Sequence, residues 1–382
     1  MKIMVRSLNC AGRVWLMAML GGLCLFPSVA DASVGFVGLG VLPTGDLSQG
    51  RGISADGTTV AGECHTSSGY RAFRWTSGGG MQDLGIPDAA AYGISGDGTT
   101  VVGENNSGQH AFRWTSAGGA QDLGVVTGAT ASSAHAVSAD GSVVVGESAG
   151  TIAQPFRWTA SSGMQGLGVL PVGGRLAAYA VSADGGTVAG WGDDTVGIRA
   201  FRKVSTNPAQ DLGVLPGLLG SFGLAISADG SVVTGYSDGV PGARAFRWTS
   251  AGGLSDLGSM PDGGESRGFA MSADGSIVGG DSYRSGVYRA VYWTSTGGWI
   301  DLNSFLPAHG VGLAGWSLSI VNGVSADGSV FTGRGIHEYL PGQFRTEAFV
   351  AQIPAPSAAG LALALIAICS KRRTRFGSAL DN

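Results

Sequence analysis

Four arginine and aspartate couples recur along the chain at a constant interval of nine residues: Arg74 and Asp83, Arg113 and Asp122, Arg202 and Asp211, Arg247 and Asp256. A guanidinium and a carboxylate at fixed spacing can serve acid–base chemistry, anion binding or a salt bridge. A second acidic series follows the motif Ser-Ala-Asp-Gly, once Ser-Gly-Asp-Gly, at Asp56, Asp97, Asp140, Asp184, Asp229, Asp274 and Asp327. A third position, next to a glycine in each unit, holds Glu63, Glu104, Glu147, Trp191, Tyr236, Asp281 and Arg334. Carboxylates of that series converging to roughly 5–9 Å would suit polysaccharide hydrolysis or elimination, whereas solvated strand ends are the simpler expectation. The five histidines lack metal-ligand spacing, and no P-loop or nucleophile elbow occurs. Each Asp-Gly turn offers one carboxylate where a calcium loop needs several, so neither metal nor cofactor is expected.

The Asp-Gly motifs stand 41, 43, 44, 45, 45 and 53 residues apart. Seven units at that period point to the blades of a β-propeller. Each unit reads as four short strands. The first is small and apolar (Ala90 to Ile94) and runs into the Asp-Gly turn; the second is β-branched (Thr99 to Gly103). A third carries Phe73 and Trp75 on one face, and after a Ser-x-Gly-Gly turn comes a fourth, Met81 to Gly85. Small residues suit the crowded innermost strand, and large aromatic ones the outer layers where blades splay. Asp followed by Gly between apolar strands is a hairpin signal, with Gly at positive φ and Asp bonding its own turn. The motif resembles the Asp-box of sialidase-type propellers, although its spacing differs and the tryptophan is missing.

Unit seven has a third strand, Ala348 to Val350, but no Asp-Leu-Gly segment after it. Conversely, Gly35-Phe-Val-Gly-Leu-Gly-Val-Leu-Pro43 precedes unit one and matches Asp211-Leu-Gly-Val-Leu-Pro216. The N-terminal strand is therefore expected to complete the last blade and leave no free edge. If the Ser-x-Gly-Gly turn is a four-residue loop, Arg74 falls opposite Asp83, and the couples are structural salt bridges across paired strands.

The composition agrees with a closed all-β domain. Glycine supplies 68 of 382 residues and charged side chains only 13%, against about 25% in ordinary domains. Residues 1–32 carry Lys2, Arg6 and Arg13, an apolar run from Val14 to Phe26, and Ala30-Asp-Ala32, the layout of a cleavable signal peptide read by the Sec translocon and signal peptidase. Residues 33–353 then hold 16 basic and 25 acidic residues, a balance that argues against nucleic acid. Cys64 alone remains in that body, so no internal disulfide is expected.

Residues 354–382 begin Pro354-Ala-Pro356, continue through an apolar helix-like stretch from Ala358 to Cys369, and end in a cluster containing Lys371, Arg372, Arg373 and Arg375. Twelve apolar residues are short for a membrane-spanning helix, which needs ~20. This tail resembles the PEP-CTERM sorting signal, which implies a transient membrane anchor and an exosortase-type processing enzyme. Ala355 stands where that motif has glutamate.

Ala-Phe-Arg-Trp recurs at 72–75, 111–114 and 245–248, and once reads His110-Ala-Phe-Arg-Trp. On these residues the units resemble the bacterial extracellular HAF repeat over residues 36–351. That resemblance implies export and supplies no catalytic residues. The sequence thus leads to a cell-surface or secreted seven-bladed propeller, a structural or binding module for an extracellular glycan or protein; the alternative is a propeller-type polysaccharide hydrolase or lyase. Intact-mass measurement of the protein from surface and medium fractions tests the ends: loss of residues 1–32 and of those after about Pro356 is expected, and a retained tail would instead mean a stable anchor.

Overall fold

Each Ser-Ala-Asp-Gly segment forms the turn between the first two strands of a four-stranded antiparallel sheet, and the described residues form seven such sheets. This is the seven-bladed β-propeller expected from the repeat. The structure, a computed structural model, describes residues 33–354 except 106–108, 152, 169–173, 194–196 and 206. The expected signal peptide, the apolar helix and the tail residues Pro356, Lys371, Arg372, Arg373 and Arg375 lie outside the described residues. Among those described, no helix is long and apolar enough to cross a membrane.

Blade one runs outward through Gly45–Ile53, Thr59–Thr66, Gly69–Thr76 and Gly80–Pro87. Blade seven takes Trp316–Val324, Val330–Leu340 and Gln343–Gln352 from the end of the array, and its outermost strand is Gly35–Gly40. Gly38 pairs with Phe349 there, so the N-terminal strand closes the circle. Phe73, Phe156, Phe201, Phe246 and Phe349 are fully buried in the third strands, filling the space between splaying sheets. The step of 53 residues before unit seven holds a short helix, Leu302–Ala308, which the sequence reading had not anticipated. Asp301 caps its N-terminus by accepting the Asn303 N–H, and Leu302 and Leu306 are buried against Leu318 and Tyr292.

The Asp-Gly turns are cross-braced by their own side chains. Ser54 Oγ donates to Asp56 Oδ1 at 2.6 Å, the Thr58 N–H donates to the same oxygen at 3.0 Å, and the Thr59 N–H donates back to Ser54 Oγ at 3.0 Å. All seven units repeat this lock, at Asp97, Asp140, Asp184, Asp229, Asp274 and Asp327 as well. The serine hydroxyl first, and then the turn N–H, hold the Asp140 and Asp229 carboxyls down to about 2.

The lock turns the peptide groups of the intervening residue sideways, toward both neighbouring blades. Ala55 N–H donates to Gly96 O, Gly96 to Ala139, Ala139 to Ala183, Ala183 to Ala228, Ala228 to Ala273, Ala273 to Ala326, and Ala326 back to Ala55, at 2.8–3.1 Å. Seven backbone hydrogen bonds thereby make a closed ring around the axis.

The hairpin register corrects the expected salt bridges. Thr76 pairs with Gly80, which takes φ +66, so the loop has three residues and the last glycine belongs to the strand as a left-handed bulge. Arg74 therefore lies opposite Gln82, and Asp83 opposite Phe73. The same one-residue shift sets Arg113 against Gln121, Arg202 against Gln210 and Arg247 against Ser255. Each arginine and its aspartate thus face opposite sides of the sheet.

Both side chains have other work. Arg74 Nε donates to the Gly98 carbonyl of the next blade's Asp-Gly turn at 3.0 Å, as do Arg113 to Gly141 (3.1 Å), Arg202 to Gly230 (2.6 Å) and Arg247 to Gly275 (2.9 Å). Asp83, Asp122, Asp211 and Asp256 instead accept the N–H two residues on, from Gly85, Gly124, Gly213 and Gly258, at 2.7–2.8 Å. The arginines strap blade to blade; the aspartates shape the exit from the outer strand.

A double-mutant cycle separates this arrangement from an ion pair. Arg113→Met, which strips a charged donor from a carbonyl of the next blade, is expected to cost ~1.5–3 kcal/mol in urea unfolding. Asp122→Ala should cost about 1 kcal/mol, and the two should add within about 0.5 kcal/mol. A coupling above 1 kcal/mol would restore the salt bridge.

Candidate functional site

The innermost strand of every blade carries an extra residue at one shared position, and those of blades one, three and seven carry a second elsewhere. In blade one Gly50 pairs with Gly62 and Gly52 with Ala61, so Arg51 between them has no partner on the second strand. The equivalent bulged residues are Tyr92, His135, Tyr179, Leu224, Phe269 and Asn322, each five positions before its Asp-Gly aspartate. A bulge re-aims a side chain away from the pleat, and here all seven line one cavity of about 600 Å³ on the axis. That volume is within the range of small-ligand sites.

A glycine on the second strand makes each bulge possible. A Cβ at Gly62 would sit 2.1 Å from the Gln49 carbonyl oxygen, and at Gly146 only 1.9 Å from that of Ser133. Any side chain there would push out the carbonyl that the bulge turns inward.

The walls of the site divide into two chemistries. Over blades two to five runs an aromatic arc. Tyr92 and His135 have ring centroids 5.8 Å apart, His135 stacks on Tyr179 at 4.4 Å and 6°, and Tyr179 lies 6.0 Å from Trp191. Trp191 meets Phe222 edge-on at 5.4 Å, and Phe222 stacks on Tyr236 at 4.8 Å. Leu224, Phe269 and Ile320 continue the lining as apolar side chains, Asn322, Arg334, Gln49 and Arg51 complete it over blades seven and one, and ionic groups of blades six, seven and one stand behind it. Arg267 grips Asp281 with two hydrogen bonds of 3.0 Å, Arg51 donates to Glu63 at 2.7 Å, and Gln49 lies between, donating to Glu63 and accepting from Arg334 at 3.1 Å.

The third sequence series therefore sits beside the cavity and not on solvated strand ends. Glu63 is 6% and Asp281 1% exposed, each held by arginine. Tyr92 donates to Glu104 at 2.6 Å. Glu147 accepts no hydrogen bond from a described residue, and burial raises its carboxyl against the pull of Arg175. Opposite it, Ser133 is 6% exposed with its hydroxyl unpartnered, and the buried His135 Nε2 is likewise unpartnered among the described residues. Burial alone pushes His135 down to about 4, so its ring is neutral at neutral pH. No three His, Cys, Asp or Glu side chains among the described residues converge as metal ligands would.

None of the residues expected to form salt bridges or turns lines this cavity. The lining residues were overlooked because their types differ from unit to unit. A signal was present: a variable residue between small ones, as in Gly50-Arg51-Gly52, Ala91-Tyr92-Gly93, Ala134-His135-Ala136 and Ala178-Tyr179-Ala180.

No family model and no curated protein matches the sequence. Solved structures do resemble the fold. An oligogalacturonate lyase from Vibrio parahaemolyticus aligns with a TM-score of 0.58 at 10% identity, over 85% of this chain and 95% of its own. An oligogalacturonate lyase in complex with manganese gives 0.56 at 11% identity, over 85% and 94%. TolB from Acinetobacter baumannii gives 0.48 at 11% identity, and the alignment spans 64% of this chain and 63% of that one. At these identities the likeness is one of fold alone.

The neutral imidazole sets a pH dependence. His135 titrates near 4 when folded and 6.5 when unfolded, so the unfolded chain takes up its proton first as pH falls. Stability referred to a His135→Phe variant should therefore drop as pH falls from 6.5 toward 4, by at most ~1.4 kcal/mol per unit. A constant difference in urea midpoint across that window would show a solvated, freely titrating ring.

Proposed function

We propose that the protein is an exported binding propeller whose axial cavity holds an extracellular ligand, a glycan in the first instance. One observation carries this reading. The seven units keep the same lock, ring and second-strand glycine, yet at the bulged position each contributes a side chain to a shared cavity, and six different types fill the seven places. A position serving only the blade would repeat with the blade. The aromatic arc supplies an apolar rim of ring edges, His135 and Tyr179 covering each other's faces at 4.4 Å, while the arginines, Gln49 and Asn322 supply hydrogen bonds.

Export is supported by the likeness to the HAF repeat and by the signal-peptide layout, with Sec translocon and signal peptidase as the implied handling partners. The PEP-CTERM-like tail supports transient inner-membrane anchoring, an exosortase-type enzyme as a partner, and a destination at the cell surface or in the matrix.

The enzyme alternative draws on the four carboxylates at the cavity margin and on the oligogalacturonate lyases that share the fold. Against it, Glu63 and Asp281 are bound by arginine and Glu104 by Tyr92, which leaves Glu147 without the second free carboxylate that hydrolysis requires. Binding is the reading the side chains favour.

Titration of the full chain with a panel of soluble polysaccharides, followed by tryptophan fluorescence, tests it. A saturable change is expected, weakened about tenfold by Tyr179→Ala at unchanged melting temperature. A panel without any response would reject the cavity as a glycan site. Product release abolished by Glu147→Gln would replace binding with catalysis.

A further inference from the structure

The ionic wall is short of negative charge where it faces the cavity. Of the residues lining that space, the charged ones are Arg51 and Arg334, both cationic. The carboxylate nearest them, Glu63, lies behind the lining and is shared: Arg51 donates to it directly, and Arg334 reaches it only through Gln49. Arg334 makes no ion pair among the described residues, and burial, followed by the neighbouring Arg51, lowers its guanidinium below the ordinary arginine value. Asp281, the next carboxylate along the wall, is committed to Arg267 in a two-bond fork. The Arg51 Nε is buried behind the lining and has no acceptor among the described residues, so the donors this side chain can turn to the cavity are those at the end of its guanidinium. Two crowded guanidiniums with unused donors, facing an open cavity, make a site for an oxyanion, and the planar fork of arginine matches a carboxylate best.

Beside Arg51, whose guanidinium lies 5.7 Å from the Tyr92 ring centroid, the wall continues uncharged. Tyr92, His135 and Tyr179 present successive rings, and the neutral His135 adds a buried nitrogen without a partner. An occupant that satisfies both walls has an anionic group at one side and a ring with apolar faces at the other.

We propose that the axial cavity selects an acidic sugar, its carboxylate held by Arg51 and Arg334 and its ring packed against the edges of Tyr92, His135 and Tyr179. This rests on the reading of the cavity as a glycan site and adds the charge of the ligand. Bound carboxylate supplies the second negative charge that Glu63 alone cannot give, and relieves the repulsion between the two arginines. A neutral sugar would accept from those donors without offsetting the two positive charges, and a bare oxyanion would leave the aromatic wall uncovered.

Calorimetric titration of the full chain with sodium D-glucuronate, D-glucose, acetate and inorganic sulfate separates these cases. Glucuronate should bind at least about tenfold more tightly than glucose, acetate or sulfate. Arg334→Gln should remove about tenfold or more of the glucuronate affinity and lower that for glucose far less, and Arg334→Lys should retain part of the glucuronate affinity. Thermal unfolding of each variant establishes that it is folded. Equal binding of glucose and glucuronate, or an Arg334→Gln protein that still holds glucuronate, would overturn the anion assignment. Equal binding of acetate or sulfate would reduce the site to an oxyanion site without a ring preference and overturn the sugar assignment. Neutral polysaccharides that bind while glucuronate does not would reject this proposal and leave the cavity a glycan site. Failure of every probe and of the polysaccharide panel would reject both.

Discussion

The ring of seven backbone hydrogen bonds from Ala55 round to Ala326 is the constraint on which the rest of the structure depends. A hydrogen bond between peptide groups is modest in net worth, ~1 kcal/mol, but a closed ring permits one spacing and one tilt for all its members. Each Ser-Ala-Asp-Gly motif must offer a donor to one side and an acceptor to the other, and the serine–aspartate lock is what holds both directions at once. The residue between them must be small: a Cβ on Gly96 would already press on Ala139 at 3.3 Å. Blade spacing at the axis follows, and with it the reach required of Arg74 and its counterparts to the next turn.

Uniformity at one level of the axis frees another. Where the innermost strands bulge, each blade must supply a glycine opposite, and the bulged side chain is free to vary in type, even where it adds a hydrogen bond, as Arg51 does to Glu63, Tyr92 to Glu104 and Asn322 to the Gly50 carbonyl. Arginine, tyrosine, histidine, leucine, phenylalanine and asparagine occupy equivalent places with no visible change in the pairing around them. Scaffold and specificity are thereby carried by neighbouring residues of the same strand, separated by the inward turn of one carbonyl.

Much of the fold was legible because its rules repeat. The Asp-Gly spacing, the phenylalanines of the third strands and the unpaired Gly35 segment together specified seven blades and their closure. The nine-residue interval predicts the arginine and aspartate couples to face each other, but in the Arg74 hairpin a single glycine in the left-handed region shortens the loop by one residue and flips the partner. The helix Leu302–Ala308 escaped notice because seven residues give no periodic pattern and its cap, Asp301, is the same residue type that elsewhere makes a turn. The cavity was least legible. Self-similarity exposes what is shared between units, whereas Arg51, His135 and Asn322 are related only by position. Glu63 and Asp281, seen singly, looked like exposed strand ends; their burial becomes apparent only when blades six, seven and one are brought together around the axis.

Closure also has a mechanical side. Gly35 pairs with Gln352 in an antiparallel ladder, so the first and last strand residues of the domain leave from the same end of one sheet. Tension applied between them would meet the ladder's hydrogen bonds one after another, opening the seam like a zipper, and would not load them together in shear. A propeller tethered by one end and pulled by the other would thus fail first at the joint between Gly35–Gly40 and Gln343–Gln352, while the remaining six blades kept their pairing.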